Sequence, residues 1–373
     1  MAVKGKKIWH LISNRWYSAI TAYAINAAKA LELQGHQCVF SPIKNTPGEK
    51  KACEAGLEVV SFSSFSIGQI VKFLKIHQSL KPDVIVLYGG PEEFLCKFLY
   101  GTPKAKLLRF QGNALKSKSY RFPRLFSFAH AHVDLFLSPS KRISHKLRKF
   151  KGVPSVSTIC LGVDTKTFKP HAKANPFDFN RRPEILIFGR LDPIKGHAEF
   201  IKLFKQLLRA WDPNLVPKLP EPCLHILGLP ANVSQEQLEK EVKLNELRIN
   251  EDVIITCNKI ADPTLTLSNA CLGVISSLGS EEICRVAQEF LLCGTPIFVS
   301  GVGALEEVLF VGAGESYRGK SEPEIVSQLK KLVEKSLTET SISRDLRASM
   351  AKNLFSLHTM GHKLTQKMLN LSQ

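Results

Sequence analysis

Hydrophobic positions in the first half of the chain alternate between short continuous runs and helical spacing. Ile8 to Ile12, Gln37 to Phe40, Val59 to Phe62, Val84 to Leu87, Leu107 to Phe110 and Leu135 to Leu137 read as strands. Between them, Ala19 to Leu33 repeats apolar residues at three- and four-residue intervals and stops at Gly35. Residues 66–80 follow the same spacing, and a further helix starts at Ser140. Strands apolar at every position are buried on both faces, so their alternation with helices predicts a covered parallel sheet. The alternation restarts after a polar, linker-like segment, 164–182. Strands are then predicted at Glu184 to Phe188, Leu224 to Leu227, Val253 to Ile255, Gly273 to Ile275 and Pro296 to Val299. Helices are predicted over 197–211, 234–247, 282–292 and 322–336, and 341–373 also reads as helical. The pattern is that of two doubly wound α/β units joined near residue 170.

The length, 373 residues, agrees with two domains, and 44% hydrophobic with 23% charged residues is ordinary globular composition. No apolar run approaches the ~20 residues of a membrane-spanning helix. The apolar stretch behind the basic N-terminus stops at Asn14-Arg15, too early for a signal peptide. The net charge of +18 is unevenly placed: residues 1–170 hold 27 Lys+Arg against 9 Asp+Glu, and residues 171–373 hold 24 of each. Within the first half, 104–151 has 13 basic residues and one acid, Asp134. Such asymmetry speaks to partners: nucleic acid, an anionic membrane or an acidic substrate. The nine cysteines show no Cys-x-x-Cys spacing and read as reduced, mostly buried thiols. His130 and His132 form a His-x-His pair with no Cys near in sequence, which favours ordinary positions over a zinc site.

Ligands of open parallel sheets bind at the carboxyl ends of the strands. No Gly-x-Gly-x-x-Gly follows the first strand and no P-loop occurs, which argues against dinucleotide and P-loop chemistry. Two segments at strand ends remain. In Gly189-Arg190-Leu191-Asp192-Pro193-Ile194-Lys195-Gly196, two cations precede a helix. Arg190 can grip two oxygens of a diphosphate and Lys195 add a mobile charge; a strand-to-helix turn with incidental surface cations fits equally. In the second segment, Glu281 and Glu289 are eight residues apart around a helix start, about 80° from one another on the helix surface. They could hold hydroxyls of a sugar and a ribose beside free helical N–H groups, or simply be an acidic helix start.

Together these segments resemble the retaining GT-B glycosyltransferases, specifically glycosyltransferase family 4, and among them the lipopolysaccharide core-type members. Phe188 to Gly196 matches the family's G-R-L-x-x-x-K-G, Glu281 to Glu289 its E-x7-E, and Cys293-Gly294-Thr295-Pro296 the C-G-x-P that follows. Gly162 to Pro170 matches the G-V-D-x-x-x-F-x-P that opens the second domain. The resemblance implies two Rossmann-like domains facing across a cleft. Residues 1–168 with a returning C-terminal helix, 356–373, would form the acceptor side, and residues 169–355 would bind an NDP-sugar. It implies that Arg190 and Lys195 hold the diphosphate, with Gly189 letting the backbone approach. Glu281 would hold donor-sugar hydroxyls, Glu289 the ribose, and Lys259 and Ile260 would flank the base. Arg190, Lys195 and Glu281 would be the catalytic residues of a transfer that retains anomeric configuration, with no cofactor and no metal. The family's open Gly-Phe-Gly after the first Glu is replaced here by Glu282-Ile283-Cys284, followed by Arg285, which adds a phosphate contact or a surface ion pair.

For the acceptor, the resemblance points to the first half: Asn14, Arg15 and Tyr17 after the first strand, Gly89 and Gly90 after another, and Arg109 and Gln111, where Gln111 stands in place of a His that many members carry. Lys116, Lys118, Arg121 and Arg124 alternate with Tyr120, Phe122, Phe126 and Phe128. That mixture suits an anionic membrane interface ahead of a solvated helix, and nucleic acid least. The expectation is a peripheral enzyme on the cytoplasmic face of the membrane, a hexosyl- or heptosyltransferase extending a lipopolysaccharide core or other glycolipid. The alternatives are a transferase to a soluble acceptor and a non-catalytic nucleotide-sugar-binding protein.

Overall fold

The computed structural model describes residues 5–99, 105–113, 130–150, 153, 155–178, 181–211, 220–258, 260, 262–279 and 281–371. Lys116, Lys118, Tyr120, Arg121, Phe122, Arg124, Phe126, Phe128 and Lys259, singled out above, lie outside the described residues. The chain divides into two units: Met1–Asp164 with Phe355–Gln373, and Thr165–Leu354.

The first unit is built on a seven-stranded parallel sheet in the order β3-β2-β1-β4-β5-β6-β7. The strands are β1 (Lys7–Leu11), β2 (Gln37–Ser41), β3 (Glu58–Val59), β4 (Val84–Leu87), β5 (Lys106–Phe110), β6 (Leu135–Ser138) and β7 (Ser155–Thr158). They alternate with α1 (Ala19–Glu32), α2 (Pro47–Glu54), α3 (Ile70–Leu80), α4 (Gly90–Cys96) and α5 (Lys141–Arg148). Central β4 is buried at all four positions, which is why it reads as an unbroken apolar run. On one face Trp9 stacks on Phe73 with ring centroids 5.0 Å apart, and Phe62, Ile85 and Leu95 join the same core. The predicted strand Val59 to Phe62 is shorter than expected; Phe62 instead turns wholly into this core.

The second unit carries a six-stranded parallel sheet in the order β10-β9-β8-β11-β12-β13. Its strands are β8 (Glu184–Phe188), β9 (Cys223–Leu227), β10 (Val253–Thr256), β11 (Leu272–Ile275), β12 (Ile297–Val299) and β13 (Gly314–Ser316). Its helices are α6 (His197–Ala210), α7 (Gln235–Leu244), α8 (Thr264–Asn269), α9 (Arg285–Leu292), α10 (Glu322–Thr338) and α11 (Ser341–Phe355), the last ending at the unit boundary. Phe200, Phe204, Leu224, Val274 and Leu329 form its core. Helix α9 begins three residues later than the predicted 282, because Cys284 takes a left-handed conformation (φ +54°) that a helix interior does not accept.

After Ser356, which caps it, α12 (Leu357–Asn370) lies against α1 in the first unit. The two helices approach closely at Gly361, where a Cβ would stand 2.1 Å from the carbonyl oxygen of Ala30. His36 Nε2 and Thr365 Oγ1 share a hydrogen bond of 2.9 Å beside that contact.

Candidate functional site

At the carboxyl end of β8 the chain forms a tight turn that the sequence specifies residue by residue. Asp192 accepts from the Ile194 N–H at 3.2 Å and caps the 3₁₀ turn Pro193–Lys195. Its other oxygen accepts from Asn232 Nδ2 at 2.9 Å and pairs with Arg190 at 3.3 Å. Leu278 N–H donates to the Ile194 carbonyl at 2.8 Å, and Ser276 Oγ donates to the Lys195 carbonyl at 2.8 Å, fixing the turn to the loop after β11. Gly196 must be glycine: its φ is +68° and a Cβ would lie 2.2 Å from the Ser276 carbonyl oxygen.

This turn places Lys195 Nζ on the Glu281 carboxylate, which also accepts from Ser277 Oγ at 2.7 Å. Lys195 and Glu281 are 86 residues apart in sequence. Glu281 is held from behind as well, since its carbonyl accepts from the Ala304 N–H at 2.7 Å and from Cys284 Sγ at 3.4 Å. Gly303 makes that approach possible, because a Cβ there would be 2.3 Å from the Glu281 carbonyl oxygen. Ser276, Ser277, Gly303 and Ala304 were not singled out from the sequence. The Ser-Ser pair directly after an apolar strand is the signal that could have found them.

Helix α9 starts at Arg285 with no side chain capping its first N–H groups. Such a terminus carries partial positive charge. Arg190 keeps an exposed side chain, 65% accessible, beside the turn. Glu289, one turn into α9, is 2% exposed; Arg285 Nε donates to its Oε1 at 3.0 Å, and its Oε2 has no hydrogen-bond partner among the described residues. Burial pushes the Glu289 carboxyl up to about 6, against the opposing pull of Arg285. Both carboxylates are cation-paired, but Glu281 is partly open on Lys195 and Glu289 is buried on Arg285 with a spare acceptor. Ile283 and Cys284 are both buried, Gly189 ends β8, and Ile260 follows β10. His197, first in α6, is buried; its pKa is pushed down to about 4 by that burial, and its Nε2 has no partner.

In the first unit, Ser13, Asn14, Arg15, Trp16, Ile20, Tyr88 and Asn113 line a cavity of about 430 Å³ at the ends of β1 and β4. Asn14 Nδ2 donates to Ser18 Oγ at 2.7 Å, while Arg15 and Tyr17 are exposed. Gly89 caps α4 and Gly90 is its first residue. Gln111 Nε2 donates to the Asn113 carbonyl at 2.8 Å. Arg109 does not open to solvent: its Nε donates to buried Glu93 at 3.0 Å and its Nη1 to the Phe110 carbonyl at 2.5 Å. The His-x-His pair does have a carboxylate, from 37 residues away: His130 Nδ1 lies 2.5 Å and His132 Nε2 3.4 Å from Glu93 Oε1. Burial works against ionised Glu93, yet the neighbouring His130, Arg109 and His132 hold its carboxyl below the usual range. Among the described residues no group of three His, Cys, Asp or Glu side chains could hold a metal ion. None of the nine cysteines is in a disulfide.

Residues 169–354 match the family model described as glycosyl transferases group 1. The chain is a glycosyltransferase of the GT-B type. A glycosyltransferase from Rickettsia africae ESF-5 has a similar structure, with a TM-score of 0.80 at 13% identity over the whole of both chains. Anabaena Alr3699/HepE in complex with UDP gives 0.76 at 14% identity over 98% of this chain and 100% of its own. The lipopolysaccharide outer core galactosyltransferase WaaB gives 0.70 at 14% identity over 98% and 100%. No curated protein sequence matches this glycosyltransferase. Both parallel-sheet units agree with the GT-B architecture expected from the motifs. Among the described residues no helix is long and apolar enough to cross a membrane.

Proposed function

We propose that this glycosyltransferase is a retaining, family 4 enzyme that moves a hexosyl or heptosyl group from an NDP-sugar to a lipopolysaccharide core or other glycolipid at the inner face of the membrane. The observation that carries the donor side is the juxtaposition of the Lys195–Glu281 pair with the uncapped start of α9 and the buried oxygen of Glu289 that no described residue meets. Lys195 and Arg190 receive the diphosphate, and Glu281, already oriented by Lys195 and Ser277, accepts from donor-sugar hydroxyls. Glu289 Oε2 accepts from the ribose. As the glycosidic bond breaks, negative charge grows on the leaving diphosphate, and two cations and the helix terminus stabilise it where it forms. These charges replace a divalent ion, so no metal is required.

The acceptor reading rests on charge: the whole excess of basic residues lies in residues 1–170, and the donor turn needs only two local cations. A large anionic acceptor, or the membrane displaying it, uses the rest. The cavity at Ser13–Trp16 and Tyr88 would take the acceptor hydroxyl. The test is transfer from UDP-, GDP- and ADP-sugars to purified lipopolysaccharide core in the presence of EDTA, with the product's anomeric configuration read by NMR. An inverted product or loss of activity restored by a divalent ion would contradict the scheme.

A further inference from the structure

Arg285 sits where helix electrostatics gain least from it. It is the first residue of α9, at the positive end of the helix dipole, where a cation is unfavourable. It pairs with a glutamate four residues on, and Arg before Glu is the weaker order for an i,i+4 pair. Its partner is 2% exposed and has one carboxylate oxygen bonded and the other without a partner among the described residues. A buried polar atom without a partner costs free energy, and an occupant that supplies the missing donor would remove that cost.

We propose that Arg285 is a positioning residue: it grips Oε1 of Glu289 so that Oε2 stays turned toward the donor nucleotide to accept from its ribose hydroxyls. This rests on the donor-site reading above. Among the described residues the surroundings leave the task to Arg285. Strands β11 and β12 and helix α8, which pack on α9, carry no charged side chain, and Asp262 just before α8 accepts from Thr264. The 3₁₀ turn Leu305–Val308 brings Glu306, paired with Arg318 at 3.1 Å, and Glu307. Two cysteines flank α9: Cys284 directly before it and Cys293 directly after it, whose thiol burial pushes up to about 12. Arg285 is the charge that favours ionised Glu289, by both its field and its hydrogen bond.

The experiment is calorimetric binding of UDP, GDP and ADP, and of the 2′,3′-dideoxy form of whichever binds, across about pH 5.5–9. Wild type is compared with R285Q, R285K, E289Q and the double variant R285Q/E289Q. The R285Q change should weaken the ribonucleotide on the order of tenfold, as expected for a lost charged hydrogen bond. It should also move the acid-side fall in affinity from near pH 6 to higher pH, with R285K between the two. The double variant should bind no worse than E289Q, and the dideoxy compound should be indifferent to all four. Wild-type affinity and an unmoved acid limb in R285Q, or additive losses in the double variant, overturn the inference while leaving the donor site intact. A wild type that binds none of the three nucleotides overturns the donor-site reading and the inference with it.

Discussion

Replacing Glu289 by Gln should stabilise the second unit at neutral pH while weakening its hold on a nucleotide. The carboxyl is raised from an ordinary 4.5 to about 6 by burial. Between those values the folded state binds more proton than the unfolded state, so stability falls as pH rises through the window. Below about pH 4.5 the burden is absent, and above about pH 6 it is complete. At 1.36 kcal/mol per pH unit the span corresponds to ~2 kcal/mol. Gln is neutral and can still accept from Arg285 Nε, so E289Q should recover about 1–2 kcal/mol at pH 7.5. For a unit of this size that is a rise of roughly 3–8 °C in the melting transition that added UDP shifts. Differential scanning calorimetry of both proteins from pH 4 to pH 8 checks it. The two transitions should converge in acid and separate as pH rises. A variant less stable than wild type at pH 7.5, or a constant difference across the range, would refute the assignment of Glu289 as a buried charge held for function.

Three further outcomes are expected. Lys195→Ala should weaken UDP by about 1.5–3 kcal/mol, or ~10–150-fold by calorimetry, and unchanged affinity would remove the diphosphate role. Neutralising Lys116, Lys118, Arg121 and Arg124 together should reduce sedimentation with anionic liposomes and leave UDP affinity untouched; equal liposome binding would remove the membrane argument. Gly361→Val should lower the melting temperature of the first unit by several degrees, since its Cβ would overlap the Ala30 carbonyl, and unaltered melting would show that α1 and α12 can separate there without penalty.

Buried parallel strands are the easiest elements to find in this chain, because burial on both faces writes them as unbroken apolar runs; β4 falls where expected to the residue. Helix α2 is hidden by its composition, PGEKKACE, in which only Gly48 and Ala52 are buried. Helix α4 opens with Gly-Pro-Glu-Glu, which reads as a turn, and β7 is written in Ser, Val and Thr at the sheet edge. In the donor site, Arg190, Lys195, Glu281 and Glu289 stand out through local spacing. Their pairing does not, because Lys195 meets Glu281 only after three strands and their loops have folded between them. Glu93 likewise lies 37 residues from His130, so the sequence shows a His-x-His pair without the glutamate that joins it.

The return of the chain to its first unit has a consequence for synthesis. Helix α1 faces its neighbours largely with small side chains, among them Ala22, Ala24, Ala27, Ala28 and Ala30, and α12 lies against it. The segment that completes the first-made unit therefore leaves the ribosome only after the second unit has been made. Residues 19–32 must wait through the translation of some three hundred codons, at roughly 5–20 residues per second, before their covering arrives. During that interval Thr165–Leu354 can finish folding while its predecessor cannot, so a premature stop near residue 356 should spoil the N-terminal half of the protein rather than the half in which it falls.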